Sequence, residues 1–133
     1  MLNFLVVDDS LIIRKNVTKF LTTLGHKVLG ESKTGELAVE DTKRLKPDFI
    51  TMDITMPDMD GITAVKKIRE FDKDVSIIMV TSHGQEDMVV ASLKAGAKGY
   101  ILKPVSEEKL AKAIASINGK YGLQTEDDEL LDD

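Results

Sequence analysis

The sequence predicts a single α/β domain in which five parallel strands alternate with five helices. This is a doubly wound (βα)5 sheet in the strand order 2-1-3-4-5. Three observations carry the prediction. Short apolar runs rich in β-branched residues alternate with longer stretches whose apolar positions follow the helical period. No internal repeat interrupts that alternation. Polar residues also gather just after the first, third, fourth and fifth runs, and sheets of this kind bind ligands beyond the carboxyl ends of their strands.

The first run is Phe4–Val7. A helix follows with Ile13, Val17, Phe20, Leu21 and Leu24 on one face, Ser10 as its N-cap and Gly25 as its stop. The second run, Val28–Leu29, is short. The second helix, roughly Gly35 to Leu45, has a weak apolar stripe and ends before Lys46-Pro47, where proline disfavours helical backbone. Phe49–Met52 is the third run, and the helix after Gly61 should bury Ile62, Val65 and Ile68. Val75–Val80 is the fourth, followed by a helix from about Gln85 to Ala95 that Gly96 ends. Tyr100–Leu102 is the fifth run. The last helix starts at Ser106 and presents Leu110, Ala113, Ile114 and Ile117 at helical spacing.

Composition agrees with a soluble, cytoplasmic domain. Of 133 residues, 42% are hydrophobic and 31% charged, enough for a real core under a charged surface. The absence of cysteine excludes disulfides and thiolate metal sites and suits a reducing compartment. Met1 to Val7 has no basic flank, which argues against a signal peptide, and no apolar run approaches the roughly 20 residues needed to span a bilayer. Of the 23 acidic residues six lie in Glu126–Asp133, leaving 17 acidic against 18 basic groups over residues 1–125. Neither direct nucleic-acid binding nor membrane association is therefore expected. The chain divides into a domain over residues 1–119 and an acidic tail over 120–133, expected to be disordered because it cannot bury enough surface to offset its ordering entropy.

After the strands the chain reads DDS (Asp8, Asp9), DIT (Asp53), TSH (Thr81) and KP (Lys103). Strands one and three are neighbours in the expected order, so Asp8, Asp9 and Asp53 converge. At a spacing of ~5 Å and an effective dielectric of ~20, each carboxylate pair repels by about 3 kcal/mol. Carboxylates, a loop carbonyl and water suit a hard octahedral cation, Mg²⁺ above all, and Lys103 supplies one further positive charge. Taken singly, each residue has an ordinary explanation. The acidic pair could serve as a helix cap, Asp53 could cap a turn, Lys103 could be a surface lysine and Thr81 a strand-end threonine. Their joint placement at the ends of four strands favours a site.

The segments FLVVDDS, KPDFITMDITMPDMDGI, IIMVTSHG and LKAGAKGYILKP, in this order and spacing, resemble the receiver family of bacterial two-component response regulators. Within it, the chain is similar to the single-domain chemotaxis regulators, and the match runs from Phe4 to about Ile117. The resemblance implies a flavodoxin-like fold with Asp53 as phosphoacceptor. Asp9 would ligate Mg²⁺ directly, Asp8 largely through water, and the Thr55 backbone carbonyl would be a further ligand. Thr81 would hydrogen-bond the phosphoryl group and Lys103 would pair with it after transfer. Tyr100 would be the switching aromatic alongside Thr81, and Lys103–Pro104 a cis peptide.

The implied partners are a sensor histidine kinase or phosphotransfer protein upstream and a protein, such as a flagellar motor switch component, on the face of helix four, strand five and helix five. Such a domain assists its own phosphorylation and dephosphorylation but turns over no separate metabolite. A phosphorelay intermediate and the receiver part of a larger regulator remain open. Thr55, Ser82 and His83 occupy positions that vary within the family near the site, and His83 reads as a loop histidine rather than a metal ligand.

Two other classes fit less well. An Asp-nucleophile phosphatase of the haloacid dehalogenase type wants an acid two residues after its nucleophile, where Thr55 stands. A flavodoxin-type electron carrier must cradle a phosphate in its first loop, and Asp8-Asp9-Ser10 would repel it. The nucleotide signatures GxGxxG and GxxxxGK[ST] are absent.

Overall fold

The structure, a computed structural model, describes residues 1–82 and 84–122; His83 and the acidic segment Glu126–Asp133 lie outside the described residues. The elements are β1 Asn3–Val7, α1 Leu11–Thr23, β2 Lys27–Ser32, α2 Gly35–Leu45, β3 Phe49–Asp53, α3 Gly61–Arg69, β4 Ser76–Thr81, α4 Glu86–Ala95, β5 Gly99–Leu102 and α5 Glu107–Gly122. All strand pairs are parallel and the sheet order is β2-β1-β3-β4-β5. None of the described helices is long and apolar enough to cross a membrane.

Alternation along the strands divides the core into two layers. Phe4 and Val6 of β1 face one side with Phe49, Ile78 and Ile101, against Val17 and Leu21 of α1 and Leu110, Ile114 and Ile117 of α5. Leu5 and Val7 face the other side with Ile50, Met52, Ile77 and Met79, against Ala38 of α2 and Ala64, Val65 and Ile68 of α3. Each fully buried Leu, Ile or Phe contributes roughly 2–3 kcal/mol of transfer free energy. β3 and β4 are buried along their whole length, as central parallel strands should be. The weak stripe of α2 has a packing reason. Its buried residues are the small Gly35, Ala38 and Thr42, which let the helix sit close to the sheet.

The expected helix ends agree with the structure. Ser10 Oγ accepts the Ile13 N–H at 3.3 Å, and Ser106 Oγ accepts that of Lys109 at 3.1 Å. α1 closes in a Schellman turn: Gly25, at φ 92°, donates to Thr22 and His26 donates to Leu21, both at 3.0 Å. Lys46 ends α2 in the left-handed region at φ 51°, just before Pro47.

β2 is the element the sequence understated, since six residues replace the expected Val28–Leu29. The register steps from Phe4↔Val28 to Leu5↔Gly30, so Leu29 is bulged out and Gly30, Glu31 and Ser32 continue the ladder. As an edge strand with polar residues at its end, it lacks the apolar signature of the central strands.

Candidate functional site

Of the expected residues, Asp8, Asp9, Asp53, Thr55, Thr81 and Lys103 stand at the carboxyl rim of the sheet, while Tyr100 lies within β5, opposite Met79. β1 delivers Asp8 and Asp9, β3 delivers Asp53, β4 ends at Thr81 and β5 leads into Lys103. Asp8 and Asp53 are buried and Asp9 is exposed, yet one carboxylate oxygen of each lies within 4.8 Å of the other two. The β3–β4 register sets Asp53 opposite Val80, one residue before Thr81, whose side chain is buried. The Thr81 carbonyl accepts the Lys103 N–H at 2.7 Å, which joins the two strand ends. The Lys103–Pro104 peptide is cis, as expected.

Lys103 is already engaged within the carboxylate cluster. Its Nζ lies 3.2 Å from Asp8 Oδ2 and 3.5 Å from Asp53 Oδ1. This agrees with the expectation that Lys103 supplies positive charge to the cluster, and it adds that the ammonium is shared between Asp8 and Asp53. With the ends of β1 and β3 close together, an ammonium between two buried carboxylates relieves their repulsion from the outset. Asp8 is further committed, because its Oδ1 accepts the Ser10 N–H at 2.9 Å. Asp9 is the exposed member of the three.

One ammonium does not balance three carboxylates. Burial pushes the Asp53 carboxyl up to about 6, and the Asp8 charge adds to the effect; Lys103 and the Thr55 N–H pull it partly back, and Asp9 raises it slightly. A buried acid with excess negative charge around it, ringed by hard oxygen donors, fits a divalent cation such as Mg²⁺. Asp9 offers the most open oxygens.

Thr55 and Ser82 are exposed beside the cluster. Tyr100 is 38% exposed, outside the cluster. Its hydroxyl lies 3.7 Å from where a Cβ on Gly84 would stand, so it borders the loop that follows β4.

Three supporting features escaped the sequence reading. Arg14 Nη1 donates to the Asp8 carbonyl at 2.7 Å while its Nε pairs with Glu31 at 3.2 Å, and Glu31 also receives Lys15 and Thr18. Glu31 is held below the usual carboxylate range by Lys15, Arg14 and Thr18, against an opposing effect of burial. A Cβ on Gly61 would collide with the Asp53 carbonyl, so only glycine fits there. Asp58 accepts two backbone N–H groups of α2, which hold its carboxyl below the ordinary range. Opposite charges are the one signal that points to the Arg14–Glu31 pair; Gly61 and Asp58 act on the backbone of other segments, where no local signal exists.

Comparison with known proteins gives a consistent result. The family model described as "Response regulator receiver domain" matches residues 4–115. Chemotaxis protein CheY of Thermotoga maritima is 42% identical over 114 residues, 86% of this chain and 95% of its own length. Chemotaxis protein CheY of Bacillus subtilis is 44% identical over 110 residues, 83% of this chain and 92% of its own. A chain in the crystal structure of the CheX–CheY–BeF3–Mg²⁺ complex from Borrelia burgdorferi superposes with a TM-score of 0.85 at 39% identity, covering 87% of this chain and 88% of that one. With the strand order, the carboxylate cluster and the family match in agreement, the chain belongs to the response regulator receiver domains, phosphorylation-activated signalling switches.

Proposed function

We propose that Asp53 is the phosphoacceptor of a CheY-like chemotaxis regulator, taking its phosphoryl group from a phosphohistidine on a sensor kinase or phosphotransfer protein. The observation that carries this reading is the placement of Asp53, buried, between Lys103 at 3.5 Å and the open carboxylate of Asp9. With its carboxyl at about 6, Asp53 is about nine-tenths ionised at pH 7 and so available as a nucleophile. A carboxylate oxygen attacks phosphorus as the P–N bond breaks, and the leaving imidazole keeps the electron pair. Asp9, Asp53 and the Thr55 carbonyl would hold Mg²⁺, with Asp8 acting through water. Bound Mg²⁺ would neutralise charge on the phosphoryl oxygens.

Lys103, freed from sharing two carboxylates, would pair with the new phosphoryl group. The Thr81 hydroxyl would donate to another of its oxygens. Such a charge-assisted bond is worth roughly 1.5–3 kcal/mol, a population shift of about 10- to 100-fold if the Thr81/Tyr100 pair is bistable. Val90, Leu93, Tyr100 and Leu102 are exposed on the α4–β5–α5 face, which suits an output surface for a protein partner such as a motor switch component. The match of this chain along nearly the whole length of the Thermotoga CheY supports the chemotaxis reading and a cytoplasmic setting.

The test is to treat the protein with acetyl phosphate and Mg²⁺ and map the phosphoryl adduct by mass spectrometry. Asp53 should carry it, and Asp53→Ala should abolish it. An adduct on a serine or threonine would overturn the assignment.

A further inference from the structure

The loop from Ile54 to Asp60 joins β3 to α3 and carries Thr55, whose N–H bonds Asp53. It is fastened at two points. At its neck, the Gly61 N–H donates to the Ile54 carbonyl at 2.6 Å, with Gly61 pressed against the Asp53 carbonyl. At its tip, Asp58 reaches across to the first turn of α2. There Oδ1 accepts the Gly35 N–H at 2.9 Å and Oδ2 accepts the Glu36 N–H at 2.8 Å.

The α2 cap, Thr34, serves a different donor, the Leu37 N–H at 3.1 Å. Asp58 thus satisfies two first-turn N–H groups that Thr34 does not, with a charge suited to that end of the helix. Met59 lies directly over Gly35, where any side chain would run into it. The tip of the loop is therefore held by two charge-assisted hydrogen bonds and one packing contact, all to α2.

We infer that Asp58 is a positioning residue for cation binding: by latching the loop to α2 it fixes the segment Ile54–Met56, and with it the Thr55 carbonyl, beside Asp53. The inference rests on the reading of Asp9 and the Thr55 carbonyl as Mg²⁺ ligands. It makes α2, which contributes no side chain to the cluster, a structural part of the site. Asp58 is itself exposed, so replacing it leaves both core layers intact.

The experiment is a Mg²⁺ titration of the unphosphorylated full chain, followed by NMR amide shifts, with Asp58→Ala, Asp58→Asn and Asp9→Ala beside the wild type. Amide exchange at Gly35 and Glu36 is read in the same samples. Asp58→Ala should weaken Mg²⁺ binding by roughly 10-fold, the lower end for partners outside the ligand shell, and speed exchange at both amides. Asp58→Asn removes the same charge but keeps one acceptor oxygen, so it should lose clearly less. Equal losses in the two variants would show a pure charge effect and overturn the latch. Unchanged binding in Asp58→Ala, with binding abolished in Asp9→Ala, would overturn it while leaving the site reading intact. Normal binding in Asp9→Ala would overturn the ligand assignment itself and the inference with it.

Discussion

Replacing Asp53 by asparagine should make the metal-free protein more stable, and the size of the gain follows from the site. The Asp53 carboxyl stands at about 6 against an ordinary value near 3.8. At about 1.4 kcal/mol per pH unit, holding it ionised in the fold costs roughly 3 kcal/mol. Its side chain is 5% exposed, so solvent screening removes little of that. The Lys103 attraction is already included, and Lys103 keeps Asp8 as a partner in the variant. For a domain of this size a gain near 3 kcal/mol raises Tm by about 10 °C.

The sign with pH is fixed by linkage. Between 3.8 and about 6 the folded wild type binds more protons than the unfolded chain, so the penalty is complete above that window and gone below it. Asp53→Asn carries no such penalty. The stability gap between the two proteins should be widest near pH 7.5 and close as pH falls to about 4. Urea denaturation in EDTA across this range measures it. Saturating Mg²⁺ should also narrow the gap at pH 7.5 by compensating the charge in the wild type. A gap that is absent, or that does not change with pH, would refute the electrostatic account of the cluster.

Lys103→Ala should still accept phosphate, though more slowly, and should move the pH dependence of phosphorylation to higher pH because an attraction that lowers the Asp53 carboxyl is gone. NMR shifts of β5 and α5 should then respond weakly to phosphorylation, and a full response would contradict the role given to the ammonium. Gly61→Ala should cost at least about 2 kcal/mol in urea denaturation, since the added methyl meets backbone rather than a movable side chain. His26 Nδ1 accepts the Leu2 N–H at 3.2 Å, and burial, with a smaller contribution from the N-terminal charge, holds its pKa below 6.5. Its contribution is complete above pH 6.5 and is lost as pH falls toward the lowered value. In the Asp53→Asn background, His26→Gln should therefore flatten the decline in stability between pH 7 and 5.

The elements most legible in the sequence are those with strong physical signatures. β3 and β4 announce themselves as unbroken apolar runs because both of their faces are buried. Ser10, Gly25 and Gly96 mark helix ends because cap chemistry is local. The cluster of Asp8, Asp9, Asp53 and Lys103 was readable because strand order alone brings strand ends together. β2 was half hidden, since Glu31 and Ser32 pair along β1 through backbone while their side chains look like loop. The double engagement of Lys103 depends on a distance between β1 and β5 loops that no local pattern encodes. The hold of Arg14 on the Asp8 carbonyl is hidden for the same reason.

The bulge at Leu29 bears on behaviour at high protein concentration. Among the described residues β2 is an edge strand, and a flat edge is a template onto which a second molecule can add. Here the extra residue bends that edge, and the exposed Lys27 places a charge at its start. A copy added in parallel register would set Lys27 against Lys27, a like-charge pair. This edge resists pairing without a covering helix. Deleting Leu29 would straighten the ladder, and the first symptom would be turbidity in concentrated samples rather than any loss of phosphorylation.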